Sequence, residues 1–413
     1  MDQPQIELIP LKPAVRSDAP TTLDVLLKIT APAAKLNSPR PALNLGLVLD
    51  RSGSMAAAKK IEYARDAAAL AVQQLLPTDR VSVTIFDDVV ETIVPNGPAE
   101  RKDHILNAIG RVEPRNSTAL HAGWKEGARQ VGEHLQPGAL NRVLLLSDGL
   151  ANVGETNADV ICTDVHRAAR ESVGTTTLGL GDEYNEDLLE AMARSGDGNY
   201  YYVEHSRQLV NIFQTELKGL MATFGSAVQL ELQPQPGVTV ADVLNDYDKT
   251  PDEKLKLANL VSGMPILAVV RLNVPPTPRE SVLIRFELAW TEPNASGPRT
   301  RTATLTLPAV TDAVWGSLAA NVEVEERAAL LLVARYKKQA TFCIDQGNPA
   351  EAAAWMEKAK AVLLAAPPTP EIQREIAAFQ DIANLLAAGA AGKFQKHAKY
   401  QAHARRSSRP YNA

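Results

Sequence analysis

The sequence lacks several features that would define its class. Its 413 residues contain only two cysteines, Cys162 and Cys343, whereas secreted proteins of this size more often carry a disulfide framework. The first residues, MDQPQIELIPLKP, have neither the basic nor the apolar region of a secretory signal. No apolar run approaches the roughly 18 residues that a membrane-spanning helix needs. We therefore expect a cytoplasmic protein without a transmembrane segment.

An excess of charge of one sign is also missing. The chain has 43 Lys and Arg residues against 48 Asp and Glu residues, which is a formal net charge of -5. Spread over this length, that balance argues against a nucleic-acid partner. Apolar residues make up 45% of the chain, so it can bury hydrophobic cores without disulfides or structural metals.

Four segments are distinguished by their hydrophobic period. The first holds two strand-like runs, Ile6 to Leu11 and Thr22 to Ile29. The second alternates strands with helices, as in a mostly parallel sheet that is covered on both faces. The third has the period of two that is typical of antiparallel strands in a sandwich, and the fourth is helical. Their predicted bounds are 1–41, 42–225, 226–312 and 313–413.

The predicted fold class is α/β: a Rossmann-like domain inserted in a β-sandwich and followed by a C-terminal helical region. The insertion is expected because the N-terminal strands need partners, which the sandwich can supply. In the helical region, Asn348-Pro349 and Thr369-Pro370 predict helix starts. Residues 346–364 resemble half of a tetratricopeptide repeat. A plain helical hairpin is the preferred interpretation, because such repeats need arrays of about three.

The C-terminal end is basic. Residues 392–413 include six Lys and Arg residues and no acidic one, and Lys393, Lys396, His397 and Tyr400 would share one helical face. Such a segment could bind an acidic partner, membrane lipid or RNA. We expect instead a solvated, fraying terminus, which is the more frequent state of such ends.

A polar cluster follows directly after an apolar strand. The run from Leu43 to Leu49 is almost entirely apolar, and Asp50, Ser52 and Ser54 come next on a loop that opens a helix. In an open α/β sheet, ligands bind at the carboxyl ends of central strands. One carboxylate and two hydroxyls at this spacing can converge on a small cation, and such hard oxygen donors suit Mg²⁺, with Mn²⁺ or Ca²⁺ as alternatives.

Two further segments carry oxygen donors that can reach the same site. Thr118 stands at the start of a predicted helix. Asp148 ends another buried strand, Val143 to Leu146, and is followed by Gly149. If the two strands are neighbours, Asp148 lies beside Asp50 at the same edge of the sheet.

This pattern resembles the von Willebrand factor A family, whose metal-ion-dependent adhesion site has the sequence Asp-x-Ser-x-Ser, then a Thr, then an Asp. The resemblance covers about residues 43–224. It implies that the aspartate and the two serines of the first motif anchor the ion, and that the Thr and the second Asp bind it directly or through water. The matching positions are Asp50, Ser52, Ser54, Thr118 and Asp148.

The whole chain is also similar, more loosely, to bacterial proteins related to inter-alpha-trypsin inhibitor heavy chains and to so-called calcium-activated chloride channels. Because no membrane span is predicted, we do not extend the channel label to this chain. The family resemblance implies a metal-dependent protein-interaction module, or adaptor, in which an Asp or Glu of a partner completes the metal coordination. Partners in the family include AAA+ ATPases and other complex subunits. The sequence determines neither the partner nor the oligomeric state.

Three other motifs have simpler interpretations. His121 could lie near the metal site, but Mg²⁺ prefers oxygen, so we expect a histidine on the helix surface. Gly179-Leu180-Gly181 lacks the third glycine of a phosphate-binding loop and is interpreted as a turn. Asp87-Asp88 is interpreted as the tip of a hairpin, with an exposed acidic partner contact as the alternative.

The alternative from a different functional class is a Mg²⁺-dependent phosphohydrolase of the haloacid dehalogenase type, with Asp50 as the nucleophile. That chemistry needs a second acid two residues later, where this chain has Ser52. A serine hydrolase that uses Ser54 is also disfavoured, because Ser52 and Ala56 occupy the two glycine positions of the Gly-x-Ser-x-Gly elbow. The expected protein is therefore not an enzyme.

Generic phosphate and ester substrates should show no turnover above that of an Asp50→Ala variant, because the motif lacks the second acid and the elbow. The check is a steady-state assay of both proteins in saturating Mg²⁺. Turnover that the substitution abolishes would establish the hydrolase instead.

Overall fold

A computed structural model describes residues 3–33, 40–115, 117–135, 138–292, 295 and 297–408. The chain forms two compact units, Asn37–Thr223 and a second unit that combines Met1–Leu36 with Phe224–Ala413. The first unit is thus an insertion in the sequence of the second. No helix within the described ranges has both the length and the apolar character to cross a membrane.

The secondary-structure elements are numbered along the chain. The strands are β1 (Gln5–Pro10), β2 (Val15–Arg16), β3 (Thr21–Thr30), β4 (Leu43–Asp50), β5 (Arg80–Phe86), β6 (Val90–Pro98), β7 (Leu140–Ser147), β8 (Val173–Leu180), β9 (Tyr200–Val203), β10 (Thr223–Pro234), β11 (Thr239–Val243), β12 (Leu255–Lys256), β13 (Leu260–Val261), β14 (Ile266–Val274), β15 (Ser281–Thr291), β16 (Arg299–Leu307) and β17 (Ala309–Val310). The helices are α1 (Lys60–Gln74), α2 (Lys102–Gly110), α3 (Leu120–Gly132), α4 (Ala158–Arg170), α5 (Glu186–Ser195), α6 (Leu209–Met221), α7 (Asp312–Ser317), α8 (Val322–Asp345), α9 (Pro349–Ala365), α10 (Pro370–Ala387) and α11 (Ala391–Arg406).

The inserted unit is an α/β fold around a six-stranded sheet with the order β6-β5-β4-β7-β8-β9. All neighbouring pairs are parallel except β5 and β6, which form a hairpin. After β4, the chain adds β5 and β6 on one side of that strand. It then returns and adds β7 on the other side of β4. The boundary between β4 and β7 is therefore the topological switch point, where α/β sheets bind ligands.

The apolar sequence of β4 follows from its central position. All eight of its residues are buried. Leu45, Leu47 and Leu49 face a core that includes Ala64 of α1 and Phe213 of α6. Successive strand residues alternate between faces, so the residues between these leucines face the opposite layer, which contains α3. Both layers exclude water, so nearly every position of β4 has to be apolar.

Two glycines allow α3 to lie close to the sheet. A Cβ at Gly127 would come within 2.2 Å of a Val48 methyl carbon, and one at Gly123 would come within 2.5 Å of the Phe86 ring. Any larger residue would push the helix away from β4 and β5. The chain that precedes α3, including Thr118, therefore stays near the carboxyl ends of these strands.

The helix that the sequence predicts directly after the serine loop begins at Lys60. Residues 53–59 form an irregular stretch of 3₁₀ turns, and Ala58 and Lys59 have positive φ angles of 50° and 58°. Left-handed backbone at two non-glycine residues costs about 1–2 kcal/mol each. Contacts around this stretch offset the cost, among them the hydrogen bond from the Ser206 hydroxyl to the Ala58 carbonyl and the ion pair between Lys60 and Asp148.

The second unit contains two antiparallel sheets. One has the strand order β1-β3-β14-β11 and the other β12-β10-β15-β16, with β13 paired to β10. Residues from both sheets, such as Leu27 and Val270 on one and Leu230 and Phe286 on the other, share one hydrophobic core. The N-terminal strands thus pair with strands that follow the insertion, as the sequence predicts, and the two antiparallel sheets pack around that core.

The C-terminal region is helical, and its predicted helix starts are present. Asn348 caps α9 by accepting a hydrogen bond from the Glu351 amide, and Thr369 caps α10 in the same way from Ile372. In both helices proline occupies the first turn. Helices α8 and α9 form the expected hairpin, and α10 and α11 complete the same hydrophobic core.

The prediction of a fraying basic terminus is wrong for residues 392–408. These residues belong largely to α11, where Phe394 and Ala398 are fully buried. Arg405 binds Glu375, and Arg406 binds Asp248 at 3.0 Å. The positive charges are compensated by carboxylates from other elements, which the sequence of the tail alone does not reveal. Arg409 lies outside the described residues.

Glu375 should be essential to the helical region, because it compensates two buried cations. It accepts hydrogen bonds from Lys337 at 2.7 Å and from Arg405 at 2.8 Å. Glu375→Ala should lower the free energy of unfolding by about 3–5 kcal/mol, since it leaves buried charges unpaired. The measurement is urea denaturation of the full chain. Glu357→Ala on the exposed face of α9 is the matched control and should change it by less than about 0.5 kcal/mol. Equal effects of the two substitutions would contradict the interpretation.

Candidate metal centre

The two aspartates predicted from the sequence lie at adjacent strand ends. Asp50 is the last residue of β4, and Asp148 directly follows β7. The strands are parallel with Leu49 opposite Leu146, so their carboxyl ends meet at the same edge of the sheet. Both aspartate side chains are 0% exposed. The fold therefore concentrates two carboxylates in a space from which water is largely excluded.

The serines of the first loop connect the two carboxylates. The Ser52 amide donates a hydrogen bond to Asp50 Oδ1 at 2.7 Å. The Ser52 and Ser54 hydroxyl oxygens are 3.1 Å apart, and the Ser54 hydroxyl donates to Asp148 Oδ1 at 2.7 Å. The Asp-x-Ser-x-Ser spacing thus converges as expected. The two hydroxyls lie between the ends of β4 and β7.

Thr118 reaches the same space from the other side. A Cβ at Gly149 would lie 3.1 Å from Thr118 Oγ1 and 3.8 Å from Ser54 Oγ. The Thr118 amide donates to the Asn152 side chain at 2.9 Å, which holds the threonine against the loop that follows Asp148. All five residues predicted as ligands are therefore in one cluster. Glycine at position 149 leaves the room between the hydroxyls open.

A buried serine completes the environment of Asp50 and was missed at the sequence level. The Ser147 hydroxyl donates to Asp50 Oδ2 at 2.6 Å and is fully buried. Partners of this kind orient a ligating carboxylate and hold its rotamer. The strand register carried a signal for it, because Ser147 precedes Asp148 and stands next to Asp50 across the β4–β7 pair.

Lys60 is a second residue that the sequence interpretation missed. Its ammonium lies 2.5 Å from Asp148 Oδ2, and its side chain is only 12% exposed. It is the first residue of α1 and follows the left-handed Ala58 and Lys59. Without that backbone turn, a lysine at a helix start would point to solvent.

The interpretation of Asp87-Asp88 as a hairpin tip agrees with the β5–β6 hairpin, but Asp87 is buried and is not an exposed partner contact. Its carboxylate binds Arg115 at 2.8 Å and lies 3.0 Å from Arg51. Although burial opposes ionisation, the Val89 amide and these guanidinium groups hold the pKa of Asp87 below its usual range. The Ala119 amide donates to the Asp87 carbonyl at 2.7 Å. Asp87 therefore positions the loop that carries Thr118.

His121 is not a surface residue. It is buried, its ring stacks on Trp124, and its Nε2 lies 3.1 Å from an Asp164 carboxylate oxygen on α4. The expectation of a histidine on the helix surface is wrong, because α4 packs beside α3 and covers it. Gly181 has a φ of 76° at the end of β8, as expected for a turn.

The family model of the von Willebrand factor type A domain matches residues 44–215. Residues 44–215 are a von Willebrand factor type A (VWA) domain. The match runs from the second residue of β4 into α6 and includes every residue of the polar cluster. The resemblance seen in the sequence is confirmed at the level of the domain.

Some relatives are similar to more of the chain than the VWA domain. An uncharacterized protein of Synechocystis sp. is 28% identical over 335 residues, covering 78% of each chain. Inter-alpha-trypsin inhibitor heavy chain H3 of Rattus norvegicus is 27% identical over 171 residues, which is 38% of this chain but 18% of the heavy chain. A von Willebrand factor type A protein from Catenulispora acidiphila superimposes with a TM-score of 0.73 at 14% identity, covering 97% of both chains. This last similarity shows that the fold of the whole chain has a solved counterpart.

The donor set of the VWA domain fits a divalent cation. Burial raises the pKa of Asp50 to about 6, with a smaller contribution from the Asp148 charge, although the hydrogen bonds from Ser147 and Ser52 oppose the shift. The described site therefore holds two carboxylates with one ammonium near them, and it is short of positive charge. Within the described chain, no cluster of three or more His, Cys, Asp or Glu side chains is arranged for a metal. A cation would be held here by carboxylates and hydroxyls together, which suits a hard ion.

Metal affinity should depend on pH through Asp50. Its raised pKa means that the metal-free site carries a proton below about pH 6, and a cation has to displace that proton. The apparent affinity for Mg²⁺ should fall about tenfold for each pH unit below about 6 and level off above about 7. Calorimetric titration across this range is the measurement. An affinity that stays constant down to about pH 5 would show that Asp50 is not a ligand.

Proposed function

We propose that the VWA domain holds a divalent cation through Asp50, Ser52, Ser54, Thr118 and Asp148, and that the ion binds an acidic side chain of a protein partner. The observation that carries the proposal is the convergence of two buried carboxylates and three hydroxyls at the switch point of the sheet. Family membership of the domain supports it, because metal-dependent protein interaction is frequent among VWA domains.

Mg²⁺ is the cation that we propose. The donors are all oxygen atoms, and a small ion that keeps some of its water molecules can be held by one or two carboxylates and neutral hydroxyls. Mn²⁺ and Ca²⁺ prefer the same donors and are the alternatives. With so few negative ligands, the double charge of the ion is barely neutralised. An Asp or Glu of the partner can complete both the coordination and the charge balance.

The geometry favours binding over phosphoryl transfer. In a phosphohydrolase of the haloacid dehalogenase type, Asp50 would attack the substrate and a second acid two residues later would assist it. Here the Ser52 amide donates to Asp50 Oδ1 and the Ser147 hydroxyl donates to Oδ2, so both hydrogen bonds fix the orientation of the carboxylate. The position of the second acid is occupied by Ser52, a hydroxyl donor. We therefore propose an interaction module and not an enzyme.

The proposed cellular setting is an adaptor in a cytoplasmic complex, with an AAA+ ATPase as one class of partner. Support for the compartment comes from composition, since both cysteines are free thiols. The second unit, with its sandwich and helices, is a platform on which further subunits can dock. Capture experiments in the native lysate address the partner directly.

The test is capture of partners by purified protein in Mg²⁺, compared with chelation and with Asp50→Asn. Asparagine keeps the size of the side chain and imitates the protonated acid, so the domain should fold while the cation is lost. Asp66→Asn on the exposed face of α1 is the matched control. We expect partners that are retained by the parent protein and the control, and lost by at least tenfold with chelator or Asp50→Asn.

The same experiment has an outcome that contradicts the proposal. If the partners bind equally well with chelator and with Asp50→Asn, recognition does not use the cation. The interaction surface would then lie elsewhere in the chain. A synthetic peptide of the captured partner with its acidic residue changed to the amide separates recognition of a carboxylate from recognition of shape.

A further inference from the structure

The ammonium of Lys60 lies beside Asp148, which is one of the proposed metal ligands. Asp148 uses Oδ1 to accept a hydrogen bond from Ser54 and Oδ2 to bind Lys60 at 2.5 Å. Both oxygens of one proposed ligand are therefore occupied by groups of the chain itself. A divalent ion cannot take a lone pair of Oδ2 while the ammonium keeps the same position, because the two positive charges would repel each other at short range.

Lys60 is held at this position by the backbone. The left-handed conformations of Ala58 and Lys59 turn the chain sharply just before α1. A Cβ at Gly181 would lie 3.5 Å from Lys60 Cε and 3.6 Å from Nζ, so the lysine also packs along the end of β8. A surface ion pair would leave both groups in water. Here the lysine side chain is 12% exposed and the aspartate 0%.

The charge balance explains why a lysine is useful here. Two buried carboxylates without a nearby cation would repel each other and oppose folding of the metal-free domain. The Lys60 ammonium compensates one of them. When a divalent ion is added, the net charge of the two carboxylates, the ammonium and the ion is one positive unit. This net positive charge favours an anionic partner.

We propose that Lys60 is a built-in cation that pairs with Asp148 in the metal-free domain and competes with the divalent ion for it. Lys60 is a positioning residue, because it acts through Asp148. This inference rests on the proposed metal site but not on the identity of a partner. Competition by Lys60 lowers the metal affinity below the value that the oxygen donors alone would reach. The loaded and the metal-free domain differ in the placement of this ammonium.

The test is Mn²⁺ and Mg²⁺ titration of the purified full chain, by electron paramagnetic resonance for Mn²⁺ and calorimetry for Mg²⁺. Lys60→Met keeps an unbranched side chain of nearly the same length without its charge and should bind both ions at least about tenfold more tightly. Lys60→Arg keeps the charge and should show no such gain. Lys59→Met is the matched control: it removes the same charge from the neighbouring residue, whose side chain is 70% exposed, and should change the affinity by less than about twofold.

Thermal unfolding gives an independent readout. Without metal, Lys60→Met should have a lower Tm than the parent protein, because Asp148 loses its counter-ion, and saturating Mg²⁺ should raise its Tm by more than it raises that of the parent. A residue that only stabilised the loop would weaken metal binding when it is removed. If Lys60→Met does not fold, Lys60→Gln provides the same comparison with a polar, neutral side chain.

Several results would overturn the inference: equal or weaker metal binding by the neutral variants, an equal gain with Lys59→Met, or no metal binding by any of the proteins. The proposed function can fail separately. Tighter metal binding by Lys60→Met together with partner capture that ignores chelation would support the competing lysine and refute the metal-bridged partner. Metal-dependent capture with unchanged metal affinity in Lys60→Met would do the opposite.

Discussion

The structure of the inserted domain depends on the burial of two like charges side by side. Asp50 and Asp148 are both inaccessible to water, and their strands are neighbours in the sheet. Such a pair opposes folding unless hydrogen bonds and positive charge compensate it. The serine loop, Ser147 and Lys60 supply this compensation, and the irregular backbone of residues 53–59 is the conformation that allows it. A divalent cation would complete the compensation, so the cost of burying the charges and the metal binding that we propose have the same origin.

The rest of the VWA domain keeps the residues around Asp50 and Asp148 in place. Gly123 and Gly127 let α3 approach the sheet, and the buried Asp87 anchors the loop that carries Thr118. The second unit has a different organisation, in which the strands before and after the insertion share one core and the basic helix α11 packs against its neighbours. Buried ion pairs such as Lys337–Glu375 show that charge compensation inside a core recurs there.

Much of this organisation was predictable because it depends on local patterns. The period of two and the apolar runs predicted the strands, and Asn348 and Thr369 predicted the starts of α9 and α10. The five proposed ligands were found because their spacing is a family pattern and each follows a recognisable strand or precedes a helix. The errors occurred where a residue's environment comes from distant chain. His121 is covered by α4, and the basic terminus is neutralised by Glu375 and Asp248.

The sequence by itself determined the fold class, the insertion of one domain in another, and the set of oxygen donors that the metal proposal uses. These follow from periodicity and motif spacing, which are properties of short stretches. Only the tertiary structure decided which other groups reach the carboxylates. Ser147 binds Asp50 because of the register between β4 and β7, and Lys60 binds Asp148 because Ala58 and Lys59 turn the chain just before α1. Hydrogen bonds and charge interactions act over a few ångströms, so they depend on the final packing and not on distance along the chain.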